Sequence, residues 1–158
     1  MNTKTKKLST VSMVLCGMFA ALVAIGAFIQ IPVPYMDYFT LQFFFVLLAG
    51  LILGADKGAI SVGCYVLLGL VGVPIFAAGG GIGYIFRPSF GYLVGFIVSA
   101  YVTGKVCEKL KASYKNYLLA CLAGFVVTYA IGIVYKFIIL NFYAHTPATL
   151  GVIFLSCF

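Results

Sequence analysis

Long apolar runs dominate this sequence and are separated by short stretches that contain proline, glycine or charged residues. Five of the runs are long enough to form helices, and the interruptions mark where each helix would end. We predict helices over residues 9–30, 40–53, 59–73, 88–104 and 117–140. A last apolar stretch, residues 148–158, is too short to span a bilayer. The pattern therefore predicts an all-α integral membrane protein, a compact bundle of five transmembrane helices.

The interruptions predict the loops. Residues 31–34 read Ile-Pro-Val-Pro and stop the first helix, because proline lacks a backbone N–H and disfavours helix before it. Residues 54–58 predict a tight charged turn, residues 77–83 a glycine-rich loop and residues 141–147 a polar break. The second and third helices, at about 15 residues each, would end below the bilayer surface or beside a cavity.

The composition fits a lipid environment and excludes a soluble domain. Apolar residues make up 64% of the chain and charged residues 8%, whereas about a quarter of the residues in soluble domains are charged. A soluble fold of 158 residues has too little interior to hide so much apolar surface. We therefore expect residues 1–158 to form a single domain embedded in the lipid bilayer.

The net charge of +7 indicates a membrane topology and not a nucleic-acid partner, because cytoplasmic loops of membrane proteins are rich in lysine. With the N-terminus in the cytoplasm, only Arg87 and Lys136 lie at or near the external face. The other cations then lie inside: Lys4, Lys6, Lys7, Lys57, Lys105, Lys109, Lys111 and Lys115. We predict a multi-pass protein with a cytoplasmic N-terminus and a glycine-rich external loop.

Two features of the predicted external side could bind a ligand. Arg87 breaks the charge pattern and could hold a carboxylate through two parallel hydrogen bonds; alternatively, its side chain only reaches to the interface. Gly79, Gly80 and Gly81 precede it and could bring backbone N–H groups close to a ligand, or could form a flexible turn. They lack the G-K-[ST] sequence of a phosphate-binding loop.

Polar side chains within the predicted helices are further candidates. Lys136 lies in an apolar run, and ionisable groups at membrane depth are functional candidates, although near a helix end the side chain could reach the interface. Gln42 could face a cavity or bond to another helix. Tyr84 and Tyr92 flank Arg87, at positions where tyrosines are also common as interfacial residues.

Small residues on the first helix predict close packing. Ala20 and Ala24 lie four residues apart, and Gly17 and Ala21 form a second pair of this kind. Such pairs let helix backbones approach closely in a membrane. Ala20 and Ala24 are therefore candidate contacts with a partner protein, and packing within the bundle is the alternative.

The sequence contains no arrangement typical of an enzyme. Three acidic residues and one histidine do not supply paired carboxylates or a catalytic triad. The five cysteines lack the spacing of metal ligands. We expect no catalytic residues, no metal and no cofactor, and the sequence has no Walker motif for ATP.

Three stretches together resemble the BioY family, the biotin-specific S-components of energy-coupling-factor (ECF) transporters. Residues 31–42 contain Ile-Pro-Val-Pro and Phe-Thr-Leu-Gln, and residues 47–74 contain Leu-Leu-Ala-Gly-Leu-Ile-Leu-Gly and Leu-Gly-Leu-Val-Gly-Val-Pro. Residues 76–92 contain Phe-Ala-Ala-Gly-Gly-Gly-Ile-Gly-Tyr and Arg-Pro-Ser-Phe-Gly-Tyr. Their order and spacing are specific and cover residues 17–96, whereas the fourth and fifth helices match only in general character.

The resemblance implies a six-helix subunit of the plasma membrane that captures biotin from outside. It also implies a membrane coupling subunit and two cytoplasmic ATPases as partners, which use the ATP. Members usually carry a last helix that opens with P-G-D-x-x-K, and we expect this chain to lack that helix. The alternatives are an S-component for another vitamin and a membrane scaffold protein without a ligand.

Overall fold

The computed structural model describes residues 9–31, 39–110 and 113–143. Within these ranges the chain forms five α-helices, as the sequence predicted: α1 (Thr10–Phe28), α2 (Gln42–Leu53), α3 (Ala55–Val71), α4 (Phe90–Lys109) and α5 (Tyr114–Ile138). Two short antiparallel strands, β1 (Gln30–Ile31) and β2 (Phe39–Thr40), lie between α1 and α2. A 3-10 helix (Ile82–Phe86) precedes α4, and a π-helical turn (Ile139–Tyr143) follows α5.

Helix α4 lies at the centre of the bundle and packs against α2, α3 and α5, while α1 packs against α2 and α3. The helices approach closely where glycines face a neighbouring backbone. A Cβ on Gly50 would meet the backbone oxygen of Ala100, and a Cβ on Gly104 would overlap the backbone of Ala55. Contacts of this kind favour helix association in a membrane, where dispersion and polar contacts replace the hydrophobic effect between helices.

Buried hydroxyl groups add hydrogen bonds between the helices. The Ser61 hydroxyl donates to the backbone oxygen of Cys16 at 2.6 Å and joins α3 to α1. The Ser99 hydroxyl donates to the backbone oxygen of Gly124 at 3.0 Å and joins α4 to α5. Both serines are fully buried, so these bonds satisfy groups that would otherwise be costly in an apolar interior.

The predicted turn over residues 54–58 was wrong. Only Gly54, whose φ is +82°, makes the turn, and α3 already begins at Ala55. Asp56 lies in the first turn of α3, where a negative charge is favourable because of the helix dipole. The ends of α4 and α5 also differ from the prediction: α4 continues to Lys109, and the helical backbone at the end of α5 continues through residues 139–143 into the predicted polar break.

Successive helices run in opposite directions, so the bundle has two ends. The ends of α1 and α3 meet the beginnings of α2 and α4 at one end, which we call the Gln42 end; Gly26 packs there against Gln42. At the opposite end, the Lys57 end, Gly54 lies against Glu108. The predictions for Lys4, Lys6, Lys7, Lys111 and residues 148–158 lie outside the described residues.

Three helices in the described ranges are long and apolar enough to cross a membrane: Thr10–Phe28, Phe90–Lys109 and Tyr114–Phe142. The apolar helix α2 has 12 residues and is about 18 Å long, well short of the ~30 Å hydrocarbon core. Gln42 in its first turn is buried and lies inside the bundle. The chain is therefore a membrane-integral protein in which a short helix leaves its polar first residue in the interior.

Candidate functional site

Three aromatic rings from different elements meet at the Gln42 end. The Phe76 ring lies between Tyr65 of α3, at 5.5 Å between centroids, and Tyr84 of the 3-10 helix, at 4.6 Å. All three side chains are buried. The Tyr65 hydroxyl donates to the backbone oxygen of Ile75 at 3.0 Å, which fixes its ring against the loop that carries Phe76. We call Tyr65, Phe76 and Tyr84 the aromatic cluster.

Gln42 places an amide beside this cluster. Its side chain is 3% exposed and lies next to the Tyr65 hydroxyl. Its Nε2 makes no hydrogen bond of standard geometry within the described residues, although the Tyr65 hydroxyl is its neighbour. A buried donor without a partner costs about 1–3 kcal/mol, and native proteins rarely keep one without a reason. A ligand with an acceptor atom at this position would satisfy it.

The glycine-rich loop positions Phe76 and closes over the end of α3. Phe76 and Gly79 exchange two backbone hydrogen bonds, of 2.8 and 3.2 Å. The N–H of Gly81 donates to the backbone oxygen of Gly69 at 2.7 Å. Gly69 must lack a side chain, because a Cβ there would overlap the Phe76 ring, and a Cβ on Gly80 would overlap the backbone of Val73. The loop is thus a packed structural element and not a flexible turn.

Arg87 follows the 3-10 helix and is exposed. Its guanidinium carbon lies 5.4 Å from the centroid of the Tyr84 ring, a distance typical of cation–π contacts. The Tyr84 ring therefore contacts two groups, the exposed Arg87 guanidinium and the buried Phe76 ring. In this position its guanidinium could bind an anionic group, and the contact also agrees with an interfacial role.

Lys136 is buried in the last turn of α5, with 7% of the residue exposed. It ends a buried stripe with a spacing of four residues that faces the bundle: Ala120, Gly124, Thr128, Gly132 and Lys136. A lysine on this stripe points into the protein, because residues four apart share one face of a helix. The Lys136 side chain is thus enclosed by the bundle, near the end of α5.

Tyr92 belongs to the packing between α4 and α5. Its ring would collide with a Cβ on Gly132 and lies 5.9 Å from the Tyr129 ring. On the opposite side, Tyr135 packs over Gly91 in the same way. This reciprocal fit of tyrosine on glycine holds the beginning of α4 against the end of α5.

The structure thus brings all the predicted ligand-binding residues to the Gln42 end, in two groups. One group lies at the aromatic cluster: Gln42, the Gly79–Gly81 loop, Arg87 and the cluster residue Tyr84. The other, Tyr92 and Lys136, lies at the junction of α4 and α5. Sequence reasoning missed Tyr65 and Phe76. Both lie in apolar surroundings, and only the folded chain reveals that they share a buried cluster with Gln42.

The structure places Ala20, one of the two predicted partner contacts on α1, in the core. Ala20 is 7% exposed and belongs to the hydrophobic core, and Ala24 is partly buried against that core. The neighbouring pair lies on the outside: Gly17 and Ala21 are exposed, and a Cβ on Gly17 would meet nothing within 4 Å. A step of one residue rotates the position by about 100° around the helix axis, so the second pair lies on a different face of α1 from the first.

The site offers apolar walls, amide and hydroxyl groups and two cations. No group of three metal-ligating side chains occurs in the described part of the chain. Such a site can bind a compact molecule that has an apolar ring, a hydrogen-bonding head and an acidic group, because apolar walls with a few polar groups provide both affinity and orientation.

The sequence model of the BioY family matches residues 1–157. A probable biotin transporter BioY from Lysinibacillus sphaericus is 42% identical over 154 residues, which cover 97% of this chain and 78% of the relative. The biotin transporter BioY from Thermotoga maritima is 45% identical over 130 residues, 82% of this chain and 73% of the relative.

A crystal structure of the S-component for biotin from an ECF-type ABC transporter superposes with a TM-score of 0.80. The superposition covers 99% of this chain and 82% of that structure, at 25% sequence identity. The match to the family over nearly the whole sequence, the two relatives and the common fold agree with each other. This chain belongs to the BioY family.

Proposed function

We propose that this chain is the biotin-binding S-component of an ECF transporter and captures biotin for uptake across the plasma membrane. The match of residues 1–157 to the BioY family carries this proposal. The relative from T. maritima is named a biotin transporter and the one from L. sphaericus a probable biotin transporter. The superposed crystal structure is that of a biotin S-component.

The chemistry of the Gln42 end supports biotin as the ligand. Biotin has an apolar thioether ring, a ureido group and a carboxylate. The aromatic cluster suits the ring, and the Gln42 amide has a donor for the ureido oxygen that makes no standard hydrogen bond within the described residues. Lys136 and Arg87 are the two cations at this end, and either can bind a carboxylate through a charge-assisted hydrogen bond.

Transport by this chain requires other subunits. We propose a membrane coupling subunit and two cytoplasmic ATPases as partners, with the N-terminus of this chain in the cytoplasm. Arg87 and the Gln42 end then face outwards, and the lysines of the Lys57 end face inwards, in agreement with the positive-inside rule. The exposed pair Gly17 and Ala21 on α1 is the candidate contact with the coupling subunit, because small residues admit close helix packing.

A binding screen separates this proposal from its alternatives. The purified protein is titrated in detergent with labelled biotin and, in parallel, with labelled riboflavin, thiamine and folate. We expect saturable binding of biotin alone. Binding of another vitamin in place of biotin would show an S-component of different specificity, and binding of none would favour a scaffold protein.

A further inference from the structure

Tyr135 connects the two groups of candidate site residues. It lies on α5 beside Lys136, and its hydroxyl donates a hydrogen bond to the backbone oxygen of Ile85 in the 3-10 helix. Ile85 directly follows Tyr84. The side chain of one tyrosine thus reaches from the helix that carries the buried lysine to the segment that carries the aromatic cluster.

The Tyr135 ring has a fixed position from which to make this bond. Its Cβ and ring carbons occupy the space where a Cβ of Gly91 would be, and its ring lies 5.8 Å from that of Phe90. A side chain held by packing on α4 loses little further freedom when it forms a hydrogen bond, so the bond can determine where the 3-10 helix lies.

The 3-10 helix is held on the α3 side by the buried Tyr84 ring, which packs on Phe76, and by the hydrogen bond from Gly81 to Gly69. It is five residues long, and the side chains of Ile82 and Phe86 are exposed. Its backbone is fixed at the ends by bonds from Tyr84 N–H to Gly81 and from Arg87 N–H to Tyr84, both of 3.0 Å. These bonds shape the segment, the Gly81 bond to Gly69 ties it to α3, and the Tyr135 bond ties it to α5.

We propose that Tyr135 is a positioning residue of the binding site, whose hydroxyl holds Tyr84 and Arg87 at a fixed distance from Lys136. This inference rests on the proposed function only as far as the ligand is concerned. Because biotin would be contacted from both groups at once, their relative position determines whether both contacts form together. Loss of the tie would loosen the 3-10 helix and weaken binding without removing any group that touches the ligand.

The test uses the absence of tryptophan from the sequence. Phe86→Trp places a single tryptophan in the 3-10 helix, at a position that is 53% exposed. In this background Tyr135→Phe removes the hydroxyl and keeps the ring, and Tyr117→Phe removes an exposed hydroxyl from the other end of α5 as the matched control. Acrylamide quenching without ligand, biotin affinity and thermal unfolding are measured for each protein.

We expect Tyr135→Phe to increase quenching of the tryptophan and to weaken biotin binding by roughly threefold to tenfold, the range of one neutral hydrogen bond. Tyr117→Phe should change neither. Gly91→Ala, which displaces the Tyr135 ring, should reproduce both effects by an independent route. Unchanged quenching in Tyr135→Phe overturns the proposal, whether or not affinity falls. If neither the Phe86→Trp protein nor its variants bind biotin, the proposed function is refuted. The change in tryptophan quenching would still show whether Tyr135 positions the 3-10 helix.

Discussion

The Glu108 carboxylate at the end of α4 accepts a hydrogen bond from the backbone N–H of Ala55, the first residue of α3, at 3.0 Å. The first N–H groups of a helix have no partner within that helix, and Gly54, which precedes α3, has no side chain to supply one. The cap of α3 therefore comes from α4. The other Glu108 oxygen lies 3.4 Å from the Lys105 Nζ.

Removal of this cap should lower stability. We expect Glu108→Ala to reduce the free energy of unfolding by about 1 kcal/mol, the usual contribution of a helix cap. Lys105→Ala should have a much smaller effect, because exposed ion pairs contribute little. Thermal unfolding of the purified variants in detergent measures both, and an unchanged melting temperature in Glu108→Ala would contradict the capping role.

The glycine-rich loop provides a second test, because its glycines differ in backbone conformation. Gly81 has a φ of +102°, which side chains rarely adopt, whereas Gly83 has ordinary φ and open space around its Cα. We expect Gly81→Ala to strain the loop by about 1–3 kcal/mol and to weaken biotin binding, because the loop holds Phe76. Gly83→Ala, two residues away, should bind as the wild type does. Equal affinities for both variants would show that the loop does not support the site.

Most of the fold could be predicted from the sequence, because apolar runs of sufficient length leave a membrane protein few alternatives to helices. The beginning of α3 could not. Asp56 and Lys57 resemble a turn in the sequence, yet an acid in the first turn of a helix is favourable. The glycine-rich loop was correctly located, but its packing against Gly69 depends on the folded position of Phe76.

The candidate site was only partly predictable. Gln42 and Tyr84 were identified because they are polar or lie near the glycines, whereas Tyr65 looks like any residue of an apolar helix. The burial of Lys136 could have been predicted from the sequence, because Gly124, Thr128 and Gly132 precede it at intervals of four residues. Ala20 was assigned to the wrong face because two pairs of small residues lie one position apart, and periodicity alone does not say which pair faces the core.

The corrected face of α1 can be tested by assembly. We expect Ala21→Trp to block co-purification with the coupling subunit and to leave the isolated chain folded, because Ala21 is exposed. Ala20→Trp should instead destabilise the isolated chain, because Ala20 is in the core and overpacking costs about 1–3 kcal/mol. If Ala21→Trp still co-purifies in normal yield, the coupling subunit contacts another surface.

The two cations of the site should differ in their contribution. Charge interactions are stronger in a buried environment than in an exposed one, and Lys136 is buried whereas Arg87 is exposed. We expect Lys136→Met to weaken biotin binding by about 10- to 150-fold, which corresponds to a charge-assisted hydrogen bond of ~1.5–3 kcal/mol. Arg87→Ala should have a smaller effect.

Comparison with biotin amide shows whether these effects concern the carboxylate. Lys136→Met and Arg87→Ala should each weaken biotin more than the uncharged amide. Lys115→Met, which removes an exposed lysine at the beginning of the same helix, is the control and should alter neither affinity. An equal loss for both ligands would mean that the residue acts through the fold and not through the carboxylate.

Calorimetric titration of Gln42→Leu with biotin tests whether the buried Gln42 amide donates a hydrogen bond to the ligand. Leucine is of similar size and removes the Nε2 donor, which makes no standard hydrogen bond within the described part of the chain. We expect at least a tenfold loss of biotin affinity together with an unchanged or higher melting temperature of the ligand-free protein, because an unsatisfied buried group is costly. Wild-type affinity in Gln42→Leu would show that the Gln42 amide does not bind biotin.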